Sequence, residues 1–368
     1  MKFEIETISY LDLEGNLKKG FRHDLSNEDL IKAYKTMQLT RRIDERMITL
    51  QRQGVVNFVI GSRGEEGCSV ASAAGLKLED WIYFQYREQG AILWRGMSAE
   101  DYCHHMLLNE KDPSKGRQMS NHYGRRDLNC MTVSSTLATQ IPQATGCAYA
   151  MKVKKEEAVT LCYFAEGAAS EGDFHAGLNF AAVYDAPVIF FCRNNHYAIS
   201  TPRKFQYAGD GIAPRGIAYG MKTFRVDGND FFAVYDITKK ARELCLKGEG
   251  PVLIEAMTYR SGPHSTADDP SRYRSDEEVC DWDPKCPVLR LKLHLYKLGI
   301  WDDDKDKVFK DAMYQEVEDG IKAARNTPKP GVDTMFEDVY EDIPWNLREQ
   351  RDFLTEFEEE HPEIGGGH

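Results

Sequence analysis

The stretch that decides the fold is LCYFAEGAASEGDFHAGLNFAAVYDAPVIFFCRNNHYAIST, residues 161–201. It is entered by an apolar run at 159–165 with the length and β-rich composition of a buried strand. A loop of small residues follows at 166–170, and apolar residues then recur at helical spacing through 174–182. The residues 188–192 have the character of a second buried strand. The sequence therefore predicts a strand–helix–strand unit, whose right-handed crossover makes the two strands parallel.

Polar residues leave the carboxyl ends of both predicted strands, where ligands of open α/β sheets bind. Glu166 follows the first strand, and Asn194 and Asn195 follow the second. Between them, Ser170 is predicted to cap the helix, because Asp173 lies three residues further on, as in a capping box. A carboxylate and an amide oxygen above a helix N-terminus suit a magnesium ion that carries a diphosphate.

Two other phosphate-binding motifs fail on the same stretch. A Walker-type loop requires Lys and then Ser or Thr after its second glycine, whereas Asp173 and Phe174 follow Gly172. The dinucleotide fingerprint fails because Ala165 and Ser170 occupy two of its glycine positions. The local pattern alone leaves two alternatives open, a diphosphate site and an ordinary strand–helix–strand unit with chance polar residues.

The acid–glycine pair Glu166-Gly167, followed after 26 intervening residues by Asn194-Asn195, resembles the thiamine diphosphate motif. With glutamate in the acidic position and with GAASEGD and CRNNHYAIST around it, the chain is similar to the α subunits of branched-chain 2-oxo acid dehydrogenase decarboxylating components. The resemblance runs from about Ser26 to beyond Tyr340. One departure is Ala165, where the family motif has glycine.

The resemblance implies a doubly wound α/β fold with a mainly parallel sheet of the thiamine diphosphate-binding type. We expect an N-terminal lead and long helix at 1–54, the cofactor-binding α/β domain at 55–287, and a charged helical C-terminal extension at 288–368. Ser26 and Asp29 are predicted to form a capping box at the start of the long helix.

The remaining chain gives the coarse order of elements. The residues before the long helix suggest a hairpin-like lead with a turn at Glu14-Gly15, and further strands are predicted at 81–84, 223–226 and 251–257. The residues 259–278 are rich in Ser, Asp, Pro and Arg, a composition typical of a mobile surface loop. Without the resemblance, a histidine in such a loop is expected to be exposed and idle.

The family resemblance assigns ligands and a catalytic residue. The implied magnesium ligands are Glu166, Asn195 and the backbone carbonyl of Tyr197. The residues expected to contact thiamine diphosphate are Gln85, Tyr86, Arg87, Ser135, Leu137, Gly167, Ala168, Arg193 and His264. Arg87 would hold the diphosphate by a forked contact. His264, the implied catalytic residue, would stabilise charge or relay a proton.

A potassium site and two regulatory serines are also implied. Hydroxyl and amide oxygens before a helix are usually capping groups, but the matching turn of the family binds potassium, with ligands at Ser134, Thr136, Thr139 and Gln140. Thr136 replaces a proline of the family motif, and a backbone carbonyl ligand would survive that change. Ser265 and Ser275 match phosphorylated serines, although Pro263 and Pro270 depart from the expected pattern.

The implied activity is decarboxylation of a branched-chain 2-oxo acid and acylation of the lipoyl group of a partner acyltransferase. The family forms α2β2 heterotetramers with the cofactor between chains, so a β subunit should complete the site and this chain alone should be inactive. A regulatory kinase and phosphatase are further implied partners. The alternatives are a pyruvate or acetoin dehydrogenase α subunit and a non-catalytic regulatory paralogue, which would be expected to have lost ligands.

Composition limits the classes of partner and compartment. The 47 basic and 59 acidic residues give a net charge of −12, which argues against nucleic acid as a partner. The nine cysteines are scattered without a CxxC pair, which favours a reducing compartment. No run approaches the roughly 18 apolar residues of a membrane span, and we expect no signal peptide and no membrane association. The resemblance implies the mitochondrial matrix for a eukaryotic source and the cytoplasm for a bacterial one.

Overall fold

The computed structural model describes residues 5–362, so the first four residues of the segment 1–54 and the last six of the segment 288–368 lie outside the described residues. The strands are Thr7–Ile8 (β1), Trp81–Tyr83 (β2), Cys130–Met131 (β3), Thr160–Ala165 (β4), Val188–Asn194 (β5), Tyr197–Ala198 (β6), Thr201–Pro202 (β7), Lys222–Asp227 (β8) and Val252–Met257 (β9). The helices are Asn27–Arg52 (α1), Glu66–Ala74 (α2), Gln89–Trp94 (α3), Ala99–Leu107 (α4), Gln140–Lys154 (α5), Gly172–Val183 (α6), Ala213–Ala218 (α7), Phe231–Leu246 (α8), Asp276–Cys280 (α9), Pro287–Lys297 (α10), Asp303–Arg325 (α11) and Trp345–Glu360 (α12). Within residues 5–362, none of these helices combines the length and apolar character that crossing a bilayer requires.

Seven strands form one parallel sheet in the order β1-β8-β9-β5-β4-β2-β3. β4 and β5, the two strands predicted from the stretch 161–201, lie at its centre and pair in parallel from Thr160 opposite Val188 to Ala165 opposite Arg193. β6 and β7 form a separate antiparallel pair. The predicted doubly wound, mainly parallel sheet is confirmed, and the carboxyl ends of β4 and β5 lie side by side.

Side chains along the central strands alternate between two apolar cores, one on each face of the sheet. Leu161 and Tyr163 belong to the first core, whereas Cys162 and Phe164 belong to the second. Residues of α1, α2, α8, α10 and α11 complete the first core, and residues of α5 and α6 complete the second. Burial on both faces is what parallel strands require. Because the terminal helices share the core of the sheet, the segment boundaries at 54 and 287 stay a prediction.

Helix α1 begins as predicted. The Ser26 hydroxyl accepts the backbone N–H of Asp29 at 3.1 Å, and the Asp29 carboxylate accepts the Ser26 backbone N–H at 3.1 Å, which completes the capping box. The helix ends at Arg52, and Gly54 follows with a φ of +75°, a left-handed conformation that glycine adopts without strain. The buried stripe of α1 packs on the first core.

Asp306, in the first turn of α11, connects three helical segments. Its carboxylate accepts hydrogen bonds from the Tyr34 hydroxyl at 2.6 Å, the Lys292 ammonium at 2.9 Å and the Trp301 indole at 3.2 Å. Burial opposes ionisation of Asp306, but these donors outweigh burial and hold the pKa of its carboxyl well below the usual range. The interaction therefore stabilises the packing of the terminal helices.

We expect Asp306→Asn to lower the free energy of unfolding by about 2 kcal/mol at pH 7, because it removes charge-assisted hydrogen bonds. Since the folded-state pKa is depressed, this stability is fully present well above the unfolded-state value near 4 and is lost as pH falls toward the folded-state value. Chemical denaturation at pH 7 and pH 3 measures the effect, with the exposed Asp304→Asn as the control. A stability difference that does not narrow at pH 3 would contradict this account.

The prediction that Ser170 caps α6 is wrong. The residues 168–170 form a 3-10 turn in which the Ser170 N–H donates to the Gly167 carbonyl at 3.1 Å. Helix α6 then begins at Gly172 with Glu171 in the N-cap position and no side-chain cap. A capping box at Ser170 would start the helix at residue 171. The 3-10 turn at 168–170 instead delays the start of α6 to Gly172.

The predicted hairpin-like lead forms at residues 10–18, around the predicted turn at Glu14-Gly15. Leu11 and Leu17 form an antiparallel bridge, and the Lys18 N–H donates to the Tyr10 carbonyl at 2.6 Å. The residues before it differ from the prediction, because β1 pairs in parallel with β8 at the edge of the sheet. The Asp230 carboxylate accepts the backbone N–H groups of Tyr10 and Leu11 at 2.5 and 2.7 Å. These contacts fasten the lead to the start of α8.

The residues 259–278 lie partly at the surface, as their composition predicted, but buried arginines hold the segment against the rest of the fold. Arg260 and Arg274 are buried, and both donate to backbone carbonyls, Arg260 to Ile199 at 2.6 Å and Arg274 to Gly262 at 2.6 Å. Polar side chains in this segment therefore satisfy the backbone of the same segment and of the β6–β7 turn. The burial of the two arginines could not be predicted from composition, because composition does not record which polar groups find partners within the fold.

Candidate active site

A cavity of about 510 Å³ opens at the carboxyl ends of β4 and β5. The residues predicted for the cofactor or for magnesium that line this cavity are Gln85, Tyr86, Arg87, Ser135, Leu137, Gly167, Ala168, Asn195, Tyr197 and His264. The structure thus brings together side chains from five separate loops. Those loops meet here because parallel strands place their carboxyl ends on one edge of the sheet.

Glu166 lies directly behind the cavity wall and is completely buried. Its carboxylate accepts the backbone N–H of Asn195 at 3.2 Å, and no Lys or Arg side chain of residues 5–362 forms an ion pair with it. Burial, with a smaller contribution from the nearby Glu65 carboxylate, raises the pKa of Glu166 to about 7. Buried carboxylates are normally paired with a cation or bound to a metal, so Glu166 fits the role of a metal ligand.

Asn195 and Tyr197 supply the other oxygens of the predicted magnesium set. The Asn195 Oδ1 accepts the Tyr197 backbone N–H at 3.2 Å, and the Tyr197 carbonyl accepts a long hydrogen bond of 3.4 Å from Arg260. A carboxylate, an amide oxygen and a carbonyl are hard ligands that suit magnesium. Gly167 is required beside them, because a Cβ at this position would lie 2.8 Å from the Cβ of Ala198.

Arg87 is buried in the wall of the cavity and is held on several sides. Its Nη2 donates to the His264 carbonyl at 2.9 Å and to the His264 Nδ1 at 3.2 Å, and its Nη1 donates to the Gly61 carbonyl. Burial lowers the pKa of Arg87, and the Glu65 carboxylate, 3.6 Å from its Nε, opposes that effect. A guanidinium fixed in this way places positive charge at the cavity wall, where an anionic ligand would bind.

The contact with Arg87 also fixes the tautomer of His264. A guanidinium can only donate, so the His264 Nδ1 accepts and the proton of the neutral ring lies on Nε2. Burial, followed by the positive charges of Arg87 and Arg260, lowers the pKa of His264 to about 3. The imidazole therefore offers an N–H donor to the cavity and does not act as a cation at neutral pH.

We expect His264 to stay neutral from pH 5 to pH 8 in the cofactor-free protein, because its surroundings disfavour the imidazolium. Nitrogen NMR of the ¹⁵N-histidine-labelled protein measures this, with His264→Gln to identify the signal. The expected spectrum shows an Nε2-protonated neutral ring with no titration in that range. A His264 midpoint near 6.5, the value of an unperturbed histidine, would contradict the assigned contacts.

Arg193 does not reach the cavity. Only 1 % of its side chain is exposed, and its guanidinium is paired with the Glu65 carboxylate and, at 2.5 Å, with the Glu88 carboxylate. The predicted contact between Arg193 and the diphosphate stays a prediction, and in this structure the two carboxylates hold the guanidinium. Its charge lies behind the wall that Arg87 and His264 form.

Glu88 is a site residue that sequence reasoning missed. One of its carboxylate oxygens accepts the backbone N–H groups of Gln85, Tyr86 and Arg87, each at 3.0 Å. It therefore shapes the loop that carries three of the predicted cofactor residues. An acidic residue directly after Arg87 is the only signal in the sequence, and such a residue would ordinarily be assigned to the surface.

His122 is a second residue that was missed, in the polar loop at 116–124. Its Nδ1 donates to the Ser120 carbonyl at 3.1 Å, which leaves the Nε2 to accept the Ser135 hydroxyl at 2.6 Å. His122 lines the cavity together with the apolar side chains of Phe58, Ile60 and Met119. The cavity thus joins a polar end at Arg87 to an apolar wall.

Three of the four residues predicted for potassium converge in the turn before α5. The Thr139 hydroxyl donates to the Thr136 carbonyl at 2.8 Å and lies 3.0 Å from the Ser134 hydroxyl. The side-chain amide of Gln140 instead donates to the Tyr163 carbonyl at 2.9 Å. The turn gathers neutral oxygens, including the carbonyl of Thr136, and Gln140 connects it to β4.

The two predicted regulatory serines occupy different surroundings. Ser265, with 8 % of its surface exposed, lines a second cavity of about 330 Å³ that also contains Arg63 and Asp268. Ser275 is exposed at the N-cap of α9, where its hydroxyl accepts the Glu278 N–H at 3.3 Å. Ser265 is therefore near the cavity of His264, and Ser275 is a helix cap.

Comparisons with known proteins agree with this arrangement. A family model described as "Dehydrogenase E1 component" matches residues 34–333. A 2-oxoisovalerate dehydrogenase subunit alpha from Dictyostelium discoideum is 46% identical over 99% of this chain and 83% of its own length. Subunits of the same name from Homo sapiens and Caenorhabditis elegans are each 48% identical over 90% of this chain, covering 75% and 78% of their own lengths.

The family model covers the whole cavity wall, from Phe58 to His264, and the three relatives cover nine-tenths or more of the chain. The sheet edge, the buried Glu166 and the Asn194-Asn195 pair therefore lie within the region shared with these proteins. The chain belongs to the dehydrogenase E1 component family.

Proposed function

We propose that the protein is the α subunit of a branched-chain 2-oxo acid dehydrogenase, which decarboxylates branched-chain 2-oxo acids and acylates the lipoyl group of a partner acyltransferase. The relatives named 2-oxoisovalerate dehydrogenase subunit alpha, at 46–48% identity, carry this proposal. They favour it over a pyruvate or acetoin dehydrogenase. The presence of Glu166, Asn195 and Tyr197 argues against a regulatory paralogue without catalytic ligands.

The cofactor of this proposal is thiamine diphosphate, which family membership implies, with magnesium as its counter-ion. Glu166, Asn195 and the Tyr197 carbonyl would hold the metal, supported by the burial of Glu166 without a cationic partner among residues 5–362. When bound, thiamine diphosphate supplies the electron sink for decarboxylation. We assign potassium to the turn of Ser134, Thr136 and Thr139, supported by their converging oxygens.

The residues of this chain would bind and orient the cofactor and the substrate, and would exclude water from them. Arg87 places positive charge at the polar end of the cavity, and Glu88 holds the loop that carries it. His264 offers its Nε2 proton as a donor to anionic oxygens of the ligand or substrate. Phe58, Ile60 and Met119 form an apolar wall that suits a branched aliphatic side chain.

The partners follow from the same proposal. A β subunit in an α2β2 heterotetramer would supply the remaining half of the active site, and the lipoyl domain of an acyltransferase would accept the acyl group. The relatives are mitochondrial by name, which supports the mitochondrial matrix as the compartment. Ser265 and Ser275 are proposed phosphorylation sites for a kinase and a phosphatase.

The test is decarboxylation by this chain co-expressed with a β subunit of the same complex. We expect turnover of 3-methyl-2-oxobutanoate well above that of pyruvate, and no measurable turnover by the chain alone at the same concentration. Faster turnover of pyruvate would reject the branched-chain assignment. Turnover by the purified chain, with mass measurement excluding a partner, would reject the two-chain site.

A further inference from the structure

Glu65 is a completely buried glutamate in the loop GSRGEEG at 61–67. It does not line the cavity, yet three side chains of the predicted cofactor and metal set contact its carboxylate. The Oε1 accepts the Asn195 Nδ2 at 2.9 Å and lies 3.6 Å from the Arg87 Nε, and the Oε2 is paired with Arg193. Glu65 therefore contacts the loop that carries Arg87 and the carboxyl end of β5, which carries Arg193 and Asn195.

The local sequence brings Glu65 to this position. Gly64 has a φ of +98°, and a Cβ there would lie 2.2 Å from the Tyr259 carbonyl, so only glycine permits the close approach. The next residue, Glu65, lies at the N-terminal end of α2, where a carboxylate is favoured by the helix dipole. Tight packing of Gly64 against the loop of His264 thus turns Glu65 inward.

The contact with Glu65 decides which way the Asn195 carboxamide points. A carboxylate only accepts hydrogen bonds, so the NH2 group of Asn195 must face Glu65 and its Oδ1 must face away. The Oδ1 is directed to the side of the Tyr197 N–H and of the magnesium position of the proposed function. If the carboxamide rotated by half a turn, two N–H donors would face the cation and repel it.

We propose that Glu65 is a positioning residue of the magnesium site, which fixes the Asn195 carboxamide with its oxygen toward the metal. This inference rests on the proposed function, because it presupposes magnesium at Glu166, Asn195 and Tyr197. Glu65 acts through Asn195, since both of its oxygens are already engaged by Asn195 and Arg193. Its negative charge behind the ligands further favours a divalent cation.

The test measures metal binding by the chain assembled with its β subunit, with Mn²⁺ as the probe and thiamine diphosphate present. Electron paramagnetic resonance of free Mn²⁺ gives the affinity for Glu65→Gln, Glu65→Asp and the parent. We expect both variants to weaken Mn²⁺ binding by roughly 10–100-fold, the usual effect of losing a residue that orients a metal ligand. At saturating Mn²⁺ they should bind as much cofactor as the parent, because the diphosphate contacts remain.

Two reference variants separate the possible failures. Glu66→Gln changes the neighbouring buried glutamate, which is paired with Arg41 at 2.7 Å, and should bind Mn²⁺ as the parent does. Glu166→Ala removes a direct ligand and should abolish binding. If Glu166→Ala abolishes binding but both Glu65 variants bind like the parent, the role of Glu65 is refuted and the metal site stands. If Glu166→Ala has no effect, the metal site itself is refuted.

Glu65→Asp keeps the test informative if Glu65→Gln fails to fold. It keeps the charge that Arg193 requires but withdraws the carboxylate by one methylene from Asn195, so it should fold even if Glu65→Gln does not. A Glu65→Asp protein with parental Mn²⁺ affinity would overturn the proposal. So would loss of cofactor that saturating Mn²⁺ cannot restore, because that result would indicate general disruption of the loop.

Discussion

Replacing Glu166 by alanine is expected to abolish magnesium-dependent binding of thiamine diphosphate, with a loss of more than about 100-fold in apparent cofactor affinity. Glu166 is the only carboxylate in the proposed ligand set, and it is completely buried with an Asn195 N–H as its nearest donor. Alanine would leave only the neutral oxygens of Asn195 and Tyr197. Those oxygens cannot offset the cost of dehydrating a divalent cation.

Calorimetric titration of the assembled α and β chains with thiamine diphosphate, at fixed magnesium, measures this effect. Asp173→Ala is the matched control, because it removes a carboxylate from the first turn of α6, close to the site but outside the cavity. The control should bind cofactor as the parent does. If the Glu166→Ala assembly binds the cofactor with unchanged affinity, the assignment of magnesium to Glu166 is wrong.

Replacing Ser265 by glutamate is expected to lower acyl transfer to the lipoyl domain severely, with a much smaller effect on cofactor binding. Ser265 shares its cavity with Asp268, whose carboxylate accepts the backbone N–H of His264 at 2.6 Å and the Tyr273 hydroxyl at 2.6 Å. A second negative charge nearby would repel the Asp268 carboxylate and break its hydrogen bonds to His264 and Tyr273. Burial of the new carboxylate, which Arg63 of the same cavity only partly offsets, is expected to cost about 3 kcal/mol, enough to shift a loop equilibrium by roughly 100-fold.

Two variants of the same segment serve as controls. Ser265→Ala should transfer acyl groups as the parent does and should resist inactivation by a cognate kinase. Ser271→Glu adds the same charge at an exposed serine, whose hydroxyl donates to the Asp269 carboxylate at 2.6 Å, and should remain active. The gating role of this segment is rejected if Ser265→Glu acylates the lipoyl domain at the parental rate.

The central sheet could be predicted because its signal is local. The apolar runs of β4 and β5 are buried on both faces, so they are continuous in the sequence, and Glu166 and Asn195 follow them directly. The crossover rule then places both residues at one edge of the sheet. The structure confirms this pairing of β4 and β5, which the order of the residues alone predicts.

The buried ion pairs of Arg193 with Glu65 and Glu88, behind the cavity, could not be predicted, because charged side chains ordinarily lie on the surface. Glu65 and Glu88 are both paired with Arg193, which is separated from them by more than 100 residues along the chain. Nothing in GSRGEEG or in the residues after β2 records that partner. The capping residue of α6 was missed for a different reason, since a 3-10 turn at 168–170 competes with the helix start.

The position of the cation tests the central claim most directly. Crystals of the assembled α and β chains with thiamine diphosphate and Mn²⁺ would give an anomalous difference peak for the metal. We predict one peak above the ends of β4 and β5, within about 2.3 Å of the Glu166 carboxylate, the Asn195 Oδ1 and the Tyr197 carbonyl. A cofactor bound with its metal elsewhere, or with Glu166 outside the coordination shell, would contradict the site proposed for this chain.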